Sequence, residues 1–166
     1  IDYIYHRYIF DFEEMTQYPK ELRQWLSDNC IISLPTLITE SVSPDGKTRK
    51  ILVEMTDQSR VEAVLMEQHY GYSVCVSSQV GCAMGCVFCA STQGGLYRDL
   101  TVSEIIGQVV IFGALTKEQI HSVVVMGAGE PLQNYDNVLQ SLQLLHDPMI
   151  CNISYRKMTI STCGWV

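Results

Sequence analysis

The stretch Gly81-Cys82-Ala83-Met84-Gly85-Cys86-Val87-Phe88-Cys89 sets three thiols at C-x3-C-x2-C spacing within one short loop. Three thiolates can hold three irons of a cubane cluster and leave the fourth iron without a protein ligand. An iron left open can take a substrate, as the open position of a catalytic zinc site does. A closed structural zinc site wants four ligands, usually from two paired knuckles. No second C-x2-C pair exists, and His69 and His121 stand isolated. A disulfide framework is disfavoured because no secreted cysteine pattern is visible. We favour an open-site [4Fe-4S] cluster on Cys82, Cys86 and Cys89 over zinc or inert thiols. Phe88, beside the last cysteine, is expected to keep water from the sulfurs.

Two further stretches carry chemistry. In Gly127-Ala128-Gly129-Glu130-Pro131 the glycines would let a ligand approach the backbone closely, although a plain strand-to-helix turn reads the same way. Ser161-Thr162-Cys163-Gly164 follows a short apolar run near the end of the sequence.

The elements that must position these stretches are legible. From Tyr72 the pattern is β-α-β-α-β. Tyr72–Ser77 reads as a strand. Thr101-Val102-Ser103-Glu104 reads as a capping box opening a helix whose core face carries Ile105, Val109 and Phe112. His121–Met126 is almost wholly apolar, as a buried parallel strand should be. Asn134 or Asp136 can cap a second helix lined by Val138, Leu142 and Leu145, and Met158–Ser161 begins a third strand. Parallel strands joined by helices indicate an α/β fold with its sites at the carboxyl ends of the strands. All three motif loops follow strands, so all three face one end of the sheet.

Upstream, residues 1–30 read as a helical segment, with Phe12, Met15, Leu22, Trp25 and Leu26 near helical spacing. Cys30 reads as a core residue. Residues 31–71 read as a small antiparallel β region. Its turns are Ser43-Pro44-Asp45-Gly46 and Asp57-Gln58-Ser59. Residues 72–166 then form the first part of an α/β barrel. A full barrel takes about 250 residues, so more strands are expected beyond these.

Four stretches in order resemble the RlmN/Cfr-type radical S-adenosylmethionine (SAM) RNA adenine methyltransferases. They are Cys75-Val76-Ser77-Ser78-Gln79-Val80-Gly81-Cys82, Val102-Ser103-Glu104-Ile105-Ile106-Gly107-Gln108, Gly127-Ala128-Gly129-Glu130-Pro131-Leu132 and Ser161-Thr162-Cys163-Gly164. The resemblance implies a partial radical-SAM (β/α) barrel of three strands, preceded by the helical and antiparallel regions. It implies SAM contacts from Gly129, Glu130 and Ser161, whereas the family usually carries a small hydroxyl residue where Cys163 stands. It implies that Cys75 attacks a methylene-linked RNA–enzyme adduct and that Glu62 accepts a proton from the adenine ring. Read from the residues alone, Cys75 is a buried small hydrophobe and Glu62 a solvent-facing strand residue.

The same resemblance implies methylation of adenine C2 in large-subunit rRNA and tRNA, with a flavodoxin-like or equivalent electron donor. A late relay cysteine is expected in a C-terminal half that these residues do not include, which would leave this portion inactive alone. Two alternatives stand beside this: a C8-methylating resistance enzyme, and a non-catalytic iron–sulfur or RNA-binding remnant.

Composition bounds these readings. The 166 residues are 47% hydrophobic and can bury a core. No run of eighteen apolar residues occurs, so no membrane span is expected. No leader pattern follows Ile1, and seven cysteines without a secreted framework read as cytoplasmic and reduced. The net charge of −7 weighs against simple electrostatic RNA binding, since Lys and Arg cluster only at Lys47–Lys50 and Arg156-Lys157.

Overall fold

The computed structural model describes residues 1–164. Its sheet is built where the sequence alternates. Strands β1 (Thr36–Val42), β2 (Thr48–Glu54) and β3 (Arg60–Gln68) form an antiparallel meander. In β2 and β3 every second residue is buried: Ile51 and Val53, then Val61, Ala63 and Leu65. Both expected turns form. The Gly46 N–H donates to Ser43 O at a φ of +73°, and the Ser59 N–H donates to Asp57 Oδ1.

Strand β4 (Gly71–Val76) pairs antiparallel with β3 and parallel with β7 (Ile120–Val125), which pairs parallel with β8 (Met158–Ile160). One sheet of order β1-β2-β3-β4-β7-β8 therefore joins the antiparallel strands to the parallel ones, with β1 and β8 at its edges. A second, two-stranded sheet pairs β5 (Gln79–Gly81) with β6 (Leu96–Asp99). Sequence reading missed this pair, because strands of three and four residues carry too little alternation to register.

Helix α3 (Val102–Thr116) opens with the full expected capping box: Thr101 Oγ1 accepts from the Glu104 N–H, and Glu104 accepts from the Thr101 N–H. Ile105, Ile106, Val109, Val110, Ile111 and Phe112 are all buried, so α3 is covered on most of its surface rather than on one stripe. The sheet covers one side. On the other, Pro35 and Tyr8 sit where a Cβ at Gly107 or Gly113 would collide. Helix α4 (Tyr135–His146) buries Val138, Leu142 and Leu145 as expected. Asn134 does occupy its N-cap position, but its side chain makes no capping bond and serves the site instead.

The first thirty residues are less helical than their spacing implies: α1 (Asp2–Tyr5), a 3-10 turn (Phe12–Glu14) and α2 (Lys20–Asn29). Met15 is buried, while Leu22 and Trp25 stay exposed, at 41% and 56%. No residue of α2 is fully buried, although the helix packs on the Phe12–Glu14 turn, and Cys30 is half-buried rather than core. No described helix is long and apolar enough to cross a membrane.

Candidate functional site

The cysteine loop is a side excursion with a closed neck. It leaves through β5 and returns through β6, in register Gln79↔Asp99 and Val80↔Arg98. At the neck the Cys82 N–H donates to Gly95 O. Gly81 adopts a φ of +77°, and a Cβ there would overlap the Gly95 carbonyl oxygen. Inside the loop the Thr92 hydroxyl donates to Cys82 O and accepts from the Gly85 N–H at 2.8 Å. Cys82 is buried, and Cys86 and Cys89 are half-buried. Phe88 lines a cavity with the three cysteines but is 90% exposed, so it gives them less cover than expected.

The three cysteines line one cavity of about 360 Å³, together with Met84, Glu130 and Ser161. Among the described residues no three His, Cys, Asp or Glu side chains close round a single metal ion.

The Gly127–Pro131 loop is fastened to the chain's own β4 exit, a packing demand on its glycines that stands beside the expected ligand contact. A Cβ at Gly129, whose φ is +108°, would lie 2.6 Å from Ser78 Oγ and 2.8 Å from Gln79 N. A Cβ at Gly127 would lie 2.6 Å from Ser77 Oγ. The close approach is therefore backbone to backbone: the Ser78 N–H donates to Ala128 O, and Ser77 Oγ accepts from the Ala128 N–H.

Buried polar side chains complete the fastening. Gln79 is fully buried. Its Nε2 donates to Asp99 Oδ1 at 2.7 Å and its Oε1 accepts from the Glu130 N–H at 2.8 Å. Asn134 Nδ2 donates to Ser78 O and to Leu100 O, each at 2.8 Å. Gln108 of α3 accepts from the Ser77 N–H and donates to Ser77 O. Each satisfies a backbone group that burial would otherwise leave costly. Spacing alone did not mark Gln79, Gln108 or Asn134. For Gln108 a polar side chain inside the apolar run from Ile105 to Val110 was the signal available.

Glu130 is 2% exposed. Its Oε1 accepts from the Leu132 N–H, and its Oε2 accepts from both the N–H and the thiol of Cys163, at 2.9 Å each. Burial pushes this carboxyl up, but the donors at Cys163, Thr162 and Leu132 outweigh it and hold the pKa at about 2. The same contact raises the Cys163 thiol to about 11. Ser161 is exposed and lines the cysteine cavity, its N–H donating to Val125 O.

Glu62 and Cys75 share a second cavity of about 480 Å³ on the open face of the sheet, with Leu52, Arg60, Val64 and Met126. Cys89, Ser91, Met126 and Gly127 line both cavities, so the two adjoin. Burial pushes the Cys75 thiol up, partly offset by a hydrogen bond from the Met126 backbone. Glu62 is not buried: its side chain is 56% exposed and pairs with Lys50 Nζ at 2.8 Å.

The fold and the cysteine loop define an α/β protein of the radical SAM type. A family model described as the radical SAM superfamily matches residues 76–166, and the chain belongs to that superfamily. It is 47% identical over 165 residues to a Clostridium perfringens (strain 13) protein named probable dual-specificity RNA methyltransferase RlmN. It is 48% identical over 166 residues to the protein of that name from Symbiobacterium thermophilum. These matches take in 99% of this chain but 48% and 45% of the two relatives. The crystal structure of a radical SAM methyltransferase from Sphaerobacter thermophilus superimposes with a TM-score of 0.91 at 36% identity, over 99% of this chain and 49% of that one. The chain thus spans about half the length of the curated relatives it matches.

Proposed function

We propose that this chain carries the cluster-, SAM- and adenine-binding part of a methyltransferase that acts on adenine C2 in large-subunit rRNA and in tRNA. The observation that carries the reading is the junction of two cavities, one lined by the three cysteines with Glu130 and Ser161, the other by Glu62 and Cys75. The printed names of the relatives support RNA as the substrate class.

Cys82, Cys86 and Cys89 would hold the [4Fe-4S] cluster, and Gly129, Glu130 and Ser161 would bind SAM. Together these groups would supply one-electron chemistry, which an unactivated ring carbon requires; the electron would come from a flavodoxin-like donor. Glu130 is ionised at neutral pH, which suits it to a cationic amino group. The adjoining cavity on the open sheet face suits a flat base. Glu62 stands at that cavity as the proton acceptor. Its neighbour Lys50 keeps the carboxylate paired and oriented there, a role that burial does not play. Cys75, on the strand that feeds the cysteine loop, is the thiol that frees the product from a relay cysteine, a residue we assign to the other half of a protein of the relatives' length.

The test uses the protein extended to that length. Incubation with SAM, a reductant and protein-free rRNA, then nucleoside digestion and mass spectrometry, should yield 2-methyladenosine. A product of 8-methyladenosine would move the assignment to the resistance-type activity. No methyladenosine from a cluster-loaded protein would overturn the catalytic reading.

A further inference from the structure

The exit strand of the cysteine loop carries one cation, Arg98, and its guanidinium is saturated by two elements: the helix α3 that follows it, and a turn 41 residues upstream. Nε donates to Asp57 Oδ2 at 2.6 Å and Nη2 to Asp57 Oδ1 at 3.0 Å. Nη1 donates to Glu104 Oε2 at 2.9 Å and Nη2 to Glu104 Oε1 at 2.8 Å. Nη2 also donates to Ser59 Oγ, and Nη1 to Asp99 O. Both carboxylates are thus gripped by two-pronged pairs, a geometry that a planar fork makes and an ammonium cannot. The Arg98 and Glu104 side chains are only 26% and 15% exposed. Asp57 and Glu104 are both held below the usual carboxylate range: Arg98 is the leading cause for Asp57, while for Glu104 burial, the largest influence, pushes the carboxyl up and Arg98 and Thr101 together outweigh it.

The placement gives this cluster its meaning. Asp57 and Ser59 form the turn that enters β3, the strand of Glu62. Glu104 closes the capping box of α3 and its carbonyl accepts from Gln108, which holds Ser77. β6 is not a strand of the main sheet. Its Arg98 joins the loop's exit to the β2–β3 turn on one side and to the α3 N-terminus on the other.

We propose that Arg98 is a positioning residue for the cysteine loop: by clamping β6 between Asp57 and Glu104 it fixes the loop's exit and so governs how tightly the three thiolates retain their irons. This rests on the reading that the loop holds a cluster. Partners that orient metal ligands from outside typically change metal retention about 10- to 100-fold when removed.

The 166-residue chain, reconstituted anaerobically with iron and sulfide, is transferred to a ferrous chelator and its iron release followed by absorbance. Release should quicken at least about tenfold in Arg98→Gln and Asp57→Asn, and Arg98→Lys should not rescue it. The electron paramagnetic resonance signal of the reduced cluster should broaden or shift in the same variants. Arg49→Gln, which breaks the separate pair with Glu40 on the outer strands, should release iron at the parental rate. Circular dichroism melts of the apo forms detect general unfolding. Asp57→Asn retains Arg98–Glu104, so it keeps the measurement interpretable if Arg98→Gln fails to fold. Equal release from the parent and both Arg98 variants would overturn the positioning role alone. Equal acceleration by Arg49→Gln would do the same, as a general loss of stability. A parent chain that takes up no iron–sulfur cluster would remove the cluster reading itself.

Discussion

The Cys163 thiol donates to Glu130 Oε2 at 2.9 Å, and the backbone N–H of Cys163 donates to the same oxygen. The loop after β8 is thereby tied to the loop after β7 through one buried carboxylate. The sign of the pH effect follows. The folded pKa of Glu130, about 2, lies below its ordinary value of 4.5. The bonds therefore contribute fully above about 4.5 and are lost as pH falls toward about 2. Urea unfolding should show wild-type stability declining across that window, with a smaller decline in Glu130→Gln. At neutral pH that variant should cost roughly 1.5–3 kcal/mol, the range for hydrogen bonds to a charged group. Parallel pH profiles for the two proteins would show that Glu130 is not the group responsible.

Glycines at the site separate into required and incidental ones. Gly81→Ala must place a Cβ against Gly95 O at a left-handed φ, and Gly129→Ala must place one against Ser78 and Gln79. The left-handed backbone alone costs about 1–2 kcal/mol per residue, before any collision. Both variants should melt well below wild type. Gly94→Ala meets nothing within 4 Å and should melt with wild type. Equal melting temperatures for all three would contradict the closed neck.

Much of this was legible in the sequence, and the reasons are physical. Long periodic elements announce themselves: α3 has its capping box and apolar face, and β2 and β3 have their alternation. The three motif loops were placed at one end of the sheet because a parallel strand must present its exit there. What stayed hidden depends on contacts distant in sequence. The β5–β6 neck is too short to show a period. The partners of Gln79 and Asn134, and Asp57 as a partner of Arg98, lie far along the chain, so no local pattern records them. Gly127 and Gly129 read as room for a ligand because spacing cannot say whether ligand or backbone fills the space. The exposure of Phe88 was hidden for the same reason, whereas the solvent-facing position of Glu62 was readable from strand alternation.

Anaerobic reconstitution tests the cysteine assignment directly. About four irons per chain should load, because a three-thiolate cubane still contains four. Cys82→Ala, Cys86→Ala and Cys89→Ala should each abolish the iron–sulfur absorbance. Cys151→Ala should load normally: Cys151 lines a separate cavity with Tyr5 and Tyr8, where burial pushes its thiol to about 12. Stoichiometric zinc without iron–sulfur absorbance would refute the cubane.

Cys75 gives the prediction that separates a core residue from a reacting one. The thiol faces the cavity that Glu62 lines, and burial raises its pKa above the ordinary 9.0. At neutral pH it is therefore almost wholly protonated, and only the thiolate attacks. If Cys75 releases a covalent RNA–protein adduct, release must quicken as pH rises toward that raised pKa, nearly tenfold per pH unit well below it. In a protein of the relatives' length, Cys75→Ala should retain the cluster and SAM cleavage yet accumulate a shifted band of labelled RNA on a denaturing gel. Glu62→Gln should also accumulate adduct, because proton loss precedes release, but its adduct should not decay faster at higher pH while the ring proton remains. A Cys75 that only packs would leave no adduct in Cys75→Ala and no steep pH dependence in wild type. Methylated RNA formed by Cys75→Ala at the wild-type rate would therefore return Cys75 to the core and end its assignment.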